Sequence, residues 1–187
     1  MKIGRFLALL GLVVLPLFSF PADDVKPLYN REYMPALHEV LSGAQKSIHI
    51  LMFTFRYYPR YPNDANSIII NDLINAAKRG VDVKVILDAS DWNVSNTIKN
   101  KAVGDSLSRC GIDVYYDPRD VTSHDKLIIV DDYIVILGSH NWSYFALEKN
   151  NEASVMIKSR PFAEAYERHF QSVLRLSTKE LPEKFQP

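Results

Sequence analysis

Apolar positions along the 187-residue chain fall into two rhythms. Short apolar runs bounded by turn residues lie at 47–55, 81–87, 112–116, 127–130, 133–137 and 152–157, and each reads as a strand. Helical spacing occurs between them. Leu37, Val40 and Leu41 mark a helix over 35–44, opened by Pro35; Ile69, Ile70, Leu73, Ile74 and Ala77 mark one over 67–79, closed by Gly80. A third helix runs roughly over 94–109 and ends before Gly111. A fourth opens at Ser159 and Pro161 and turns Phe162, Ala165, Tyr166, His169, Phe170 and Val173 inward. Residues 23–28 read as a linker, 143–149 as a short helix or loop, and the polar tail beyond 177 as frayed. Strands alternating with helices predict an α/β fold with a mixed, largely parallel sheet and helices on both faces. Hairpin pairing between 127–130 and 133–137 adds the antiparallel part.

The first segment breaks both rhythms. Lys2 and Arg5 precede an apolar run over 6–20 with no polar face. A membrane span needs about 20 residues, so the run reads as a secretory signal. That predicts a leader over 1–22, one folded domain over 23–187, and export to a periplasmic or extracellular space. Phe20 stands where a cleavage site wants a small residue, so an uncleaved N-terminal anchor with membrane association is the alternative. Apolar content of 47% suffices for a sizeable core, and equal numbers of acidic and basic residues exclude a uniformly basic coat. Cys110 is the only cysteine, so no intrachain disulfide forms, and no Cys/His cluster has zinc spacing. No cofactor is expected.

The chemistry concentrates at 123–142, SHDKLIIVDDYIVILGSHNW. Side chains alternate faces along a strand, so His124 and Lys126 point the same way where a buried strand begins. An imidazole beside an ammonium suits an anionic substrate, with Lys holding phosphate and His attacking it or moving its protons. If Asp131 and Asp132 are the two loop residues of the hairpin, Val130 pairs with Tyr133, Lys126 with Leu137, and His124 with Ser139. Asn141 then follows Ser139 on the same face. A separate loop at a strand end, Arg56, Tyr57, Tyr58, Pro59, Arg60 and Tyr61, interleaves guanidinium groups that bind phosphate with rings that stack on bases. Arg56, Tyr57 and Arg60 are its candidate substrate-binding residues. His49 and His169 read as packing or surface histidines, and Trp142 and Phe145 as core.

His124-x-Lys126-x4-Asp131, followed by Gly138-Ser139-x-Asn141 and Glu152, resembles the signature of the phospholipase D superfamily. The spacing is most similar to the small single-motif bacterial endonucleases, and to mitochondrial-surface relatives that cut RNA or act on cardiolipin. The resemblance implies a phospholipase D-like α-β-α sandwich over 23–187. It implies that His124 forms a covalent phosphohistidine that water later hydrolyses. Lys126 would clamp the nonbridging oxygens, Asn141 would donate to them, Ser139 would bond near the phosphate or its histidine, and Glu152 would orient His124. Asp131 completes the motif and counts among the site candidates, but its place at the hairpin turn, far from His124, gives it a structural role. One histidine cannot easily attack phosphorus and also protonate the group leaving on the opposite side. A single-motif chain therefore predicts a two-fold homodimer with two copies of His124 facing one phosphate.

The expected reaction is metal-independent phosphodiester cleavage, with nucleic acid, DNA or RNA, as substrate. The alternatives are hydrolysis of phospholipid headgroups and a catalytically silent nucleic-acid-binding module.

Overall fold

A computed structural model describes residues 19–185. The leader expected over 1–22 lies almost wholly outside the described residues. Among those described, no helix is long and apolar enough to cross a membrane. The chain runs β1 (Asp24–Tyr29), α1 (Tyr33–Gly43), β2 (Ser47–Met52), α2 (Ala65–Lys78), β3 (Asp82–Leu87), α3 (Val94–Ser108), β4 (Asp113–Tyr116), β5 (Lys126–Val130), β6 (Ile134–Gly138), α4 (Tyr144–Glu148), β7 (Ala153–Lys158) and α5 (Arg160–Leu174). The helix boundaries follow local chemistry. Asp64 caps α2 by accepting from Ser67 N, and Ser159 caps α5 by accepting from Phe162 N. Gly80 and Gly111, with φ of 88° and 82°, leave α2 and α3 through left-handed backbone.

The strands form one mixed seven-stranded sheet in the order β1-β7-β6-β5-β2-β3-β4. Helices cover both faces, as the alternation predicts. One core packs Leu37, Leu41, Ile48, Ile69, Val85 and Val103 between the sheet and α1, α2 and α3. The other packs Leu51, Ile86, Leu127 and Val135 against Ala163 and Phe170 of α5. Each face takes alternate residues of β2, so Ile48 and Ile50 enter the first core and Leu51 the second.

Four expectations need correction. The sheet is not largely parallel: only β2–β3 and β3–β4 run parallel, and the other four pairings are antiparallel. The return of the chain from β4 lays β5 antiparallel beside β2, and the β5–β6 hairpin and β7 continue that sense. Residues 23–28 are not a linker but contain most of edge strand β1, which ladders against β7. Pro27 breaks the usual strand pattern and is tolerated because an edge strand has one unpaired side. The polar tail is anchored rather than frayed: Thr178 and Tyr116 exchange backbone hydrogen bonds of 2.7 and 2.9 Å, and Leu181 and Phe185 are buried. The strand expected over 47–55 ends at Met52, after which the chain turns away at Phe53.

The hairpin register is also one residue from that expected. Val130 pairs with Ile134 and Leu127 with Leu137. Asp131 and Asp132 do form the tight turn, with φ of 55° and 54°, and Tyr133 N donates to Val130 O at 3.0 Å. Tyr133 is an extra residue on the β6 side, a bulge that pattern reading does not see. Its carbonyl accepts from Ser159 N and so serves the β7 side instead.

Candidate active site

All seven strands bring one end to the same edge of the sheet: the C-terminal ends of β1, β2, β3, β4 and β6, and the N-terminal ends of β5 and β7. Open α/β sheets place ligands outside the C-terminal ends of their parallel strands, where the topology changes direction. Here that point lies between β5 and the parallel β2.

Lys126 begins β5 opposite Met52 and is buried, whereas His124, two residues earlier, is exposed. Lys126 Nζ lies 3.2 Å from His124 Nδ1 and 2.6 Å from the His124 carbonyl. The ammonium also sits 5.0 Å from the centroid of the Phe53 ring, and that ring packs against the His124 imidazole at 4.4 Å. Burial pushes the Lys126 ammonium below its ordinary value, while Asp125, Glu152 and Asp88 pull it back up. The result is a desolvated cation touching an accessible imidazole.

Ser139 and Glu152 arrive from the far side. Gly138 ends β6 against Ser154, and a Cβ on Gly138 would overlap the Ser154 hydroxyl and backbone, so only glycine lets β6 and β7 approach this closely. Ser139 Oγ then donates to Glu152 Oε2 and accepts from Ala153 N at 3.0 Å. Asn150 Nδ2 donates to Glu152 Oε1 at 2.9 Å, and Glu152 N donates to Asn30 Oδ1 at 2.8 Å. Within one chain Glu152 therefore bonds Ser139 and Asn150, and the expected bond to His124 is not formed. Asn141 is half-buried, and among the described residues its Oδ1 has no partner. His140, between them, is fully buried, stacked 4.1 Å from Tyr33, and its two nitrogens face Ser154 Oγ and Asn30 O. Burial lowers its pKa, which keeps it neutral.

Asp131 stands at the other end of β5. Its carboxylate accepts from Gln45 N, Lys46 N and Ser47 N at 2.7 to 3.2 Å, tying the hairpin turn to the start of β2. The site candidate is thus a structural cap, as its position at the turn implied. Arg56 is a correction. Its guanidinium turns inward to Asn96 Oδ1, Asn100 Oδ1 and the Phe55 carbonyl, rather than out along a substrate track. Tyr57 and Arg60 do remain exposed. Trp142 is core, donating to Tyr33 OH at 3.0 Å, but Phe145 is 66% exposed and not core.

Pattern reading missed a polar layer beneath the histidine. Asn96 and Asn100 of α3 both donate to Phe53 O at 2.9 Å, and Asn96 also donates to Asp88 Oδ2 at 3.1 Å. Asp88 and Asp117 follow β3 and β4 and are buried. The only sequence signal is an Asp after each of two adjacent parallel strands, and it means nothing until those strands pair.

A buried lysine and accessible histidine at one strand end, with a serine, an asparagine and a glutamate on the neighbouring strands, define a phospholipase D-type site. The chain belongs to that family: residues 37–174 match the cardiolipin synthase, PLD-like domain. Among its relatives is a phospholipase D of Rickettsia felis, 37% identical over 102 residues, covering 54% of this chain and 48% of that one. A mitochondrial cardiolipin hydrolase of Xenopus tropicalis is 29% identical over 132 residues, covering 71% of this chain and 56% of that one. The chain thus spans about half the length of the curated relatives it matches. Among solved structures, the phospholipase D family member Nuc from Salmonella typhimurium superposes with a TM-score of 0.70 at 27% identity, over 83% of this chain and 96% of that one.

Proposed function

We propose that this protein is a phosphodiesterase that uses His124 as nucleophile and nucleic acid as substrate. The observation that carries the chemistry is the contact between the exposed imidazole of His124 and the buried ammonium of Lys126. An arriving phosphate takes over the lysine proton donors and draws the ammonium off Nδ1, which is then free to carry the ring proton. With that proton moved from Nε2 to Nδ1 through water, Nε2 attacks phosphorus, forming a P–N bond as the P–O bond to the leaving group breaks. An acid protonates the departing oxygen, and water later attacks phosphorus and returns histidine to its starting state. Lys126 and Asn141 offset the charge on the nonbridging oxygens.

The other described histidines do not fill the acid's place. His38 pairs with Asp72, His49 with Glu167 and His169 with Asp125, and His140 is buried between Asn30 and Ser154. A two-fold dimer bringing a second His124 across the phosphate supplies that acid, and it offers Glu152 a route to an imidazole it does not reach alone.

Nucleic acid is favoured over a lipid headgroup by the aromatic surface formed by the loop after β2 and helix α4. Tyr58, Tyr61, Tyr144 and Phe145, with Asp64, line a cavity of about 460 Å³. Tyr61 and Phe145 are each 66% exposed. An adjoining groove presents Tyr57 and Arg60, and the Lys149 ammonium lies 5.7 Å from the Tyr144 ring. Exposed rings next to the cations Arg60 and Lys149 match a strand that alternates bases and phosphates. The decisive experiment compares wild type and His124→Ala on labelled single-stranded and duplex oligonucleotides and on cardiolipin vesicles, all with chelator present. Wild type is expected to cut the oligonucleotides and the variant to be inactive. Cleavage of the lipid alone would overturn the substrate; activity abolished by chelator would overturn the chemistry.

A further inference from the structure

Behind His124 lie two carboxylates that the reaction above does not use. Leu87 and Tyr116 are paired neighbours in β3 and β4, so the next residues, Asp88 and Asp117, emerge side by side. They are 0% and 1% exposed. Asp117 Oδ1 accepts from Ala89 N at 2.6 Å and Oδ2 from Ser123 N at 2.9 Å, so one carboxylate joins the end of β3 to the residue before His124. Asp88 accepts from Ser90 Oγ at 3.1 Å and from Asn96 Nδ2. Asn96 also holds the carbonyl of Phe53, whose ring packs on the imidazole. The same buried layer therefore grips both the segment that carries His124 and the ring against which it rests.

We propose that Asp88 and Asp117 are positioning residues for His124: Asp117 fixes the backbone at Ser123, and Asp88, through Asn96, fixes Phe53, whose ring supports the imidazole. This rests on the reading of His124 as the reacting group. Burying two like-charged carboxylates is costly, and they persist because each is hydrogen-bonded and one faces a cationic site. Burial and the Asp88 charge push Asp117 up to about 6. Burial also raises Asp88, while the His124 charge lowers it. The other charged groups around the layer are Lys126, with Asp125 and Glu152 acting on it, and Arg56, which reaches the layer through Asn96.

The test uses Asp88→Asn and Asp117→Asn in the full chain, with exposed Asp120→Asn as control. The His124 ring resonances are followed by NMR, alongside kcat and KM. Asp88→Asn and Asp117→Asn are each expected to move those resonances and to lower kcat roughly tenfold or more with KM little changed, because the imidazole is misplaced. The control changes none of these. Folding is checked by circular dichroism, and if one variant does not fold, the other carries the test. His124 resonances and kcat unchanged in the folded variants, or activity lost only in proportion to lost fold, would overturn the proposal. Wild type without phosphodiesterase activity would sink the functional reading alone, since the resonances still read the placement of the ring.

Discussion

Asp131 and Lys126 sit at opposite ends of the same five-residue strand and show how one motif divides its labour. Lys126 is buried beside the imidazole; Asp131 takes three backbone N–H groups at the start of β2. Hydrogen bonds to a charged acceptor are worth about 1.5–3 kcal/mol each, with the net loss smaller because water replaces some of them. Asp131→Ala is therefore expected to lower stability by roughly 1–3 kcal/mol in urea unfolding. The folded variant should keep the wild-type kcat; a collapsed kcat with unchanged stability would make Asp131 catalytic. His124 and Lys126 were legible because two residues along a strand share a face. Arg56 was not, because its partners Asn96 and Asn100 come from a helix some forty residues further on.

At the scale of elements, the close approach of β6 and β7 decides where Ser139 and Glu152 meet. Gly138 is the residue that permits it. Gly138→Ala would drive its Cβ into Ser154, and overpacking of this kind costs typically about 1–3 kcal/mol. The expected outcome is a lower melting temperature together with reduced kcat, since Ser139 and Glu152 are displaced along with the strand. Wild-type values for both would show that the sheet yields at no cost. Helix α3 makes the opposite point. Its limits were read closely, with Gly111 marking its end, but the buried face that matters here carries Asn96, Thr97, Asn100 and Lys101 alongside Val103 and Leu107. An apolar-periodicity reading looks for core and passes over a polar face that is buried to hold a loop. Edge strand β1 and the docked tail escaped for a related reason: both are polar segments fastened by backbone pairing, which leaves no pattern in side chains.

For the whole molecule, one chain presents one accessible imidazole among the described residues of the site, and the proposed reaction asks for two. Light scattering is expected to give twice the mass of the chain. Mixing wild type with His124→Ala, after subunit exchange, should lower activity as the square of the wild-type fraction, because a mixed dimer lacks either nucleophile or acid. A linear fall, or a strict monomer at working concentration, would show that each chain acts alone.

Local rules, acting over a few residues, were enough to determine most helices and strands, the turn at Asp131 and Asp132, the shared face of His124 and Lys126, and the family. They work because capping, turn geometry and side-chain alternation depend on near neighbours along the chain. The antiparallel majority of the sheet, the bulge at Tyr133, the inward turn of Arg56, the pairing of Glu152 with Ser139, and the carboxylates behind His124 were decided only by tertiary structure. Each depends on which strand ends lie side by side, and that is settled by packing between segments far apart in sequence.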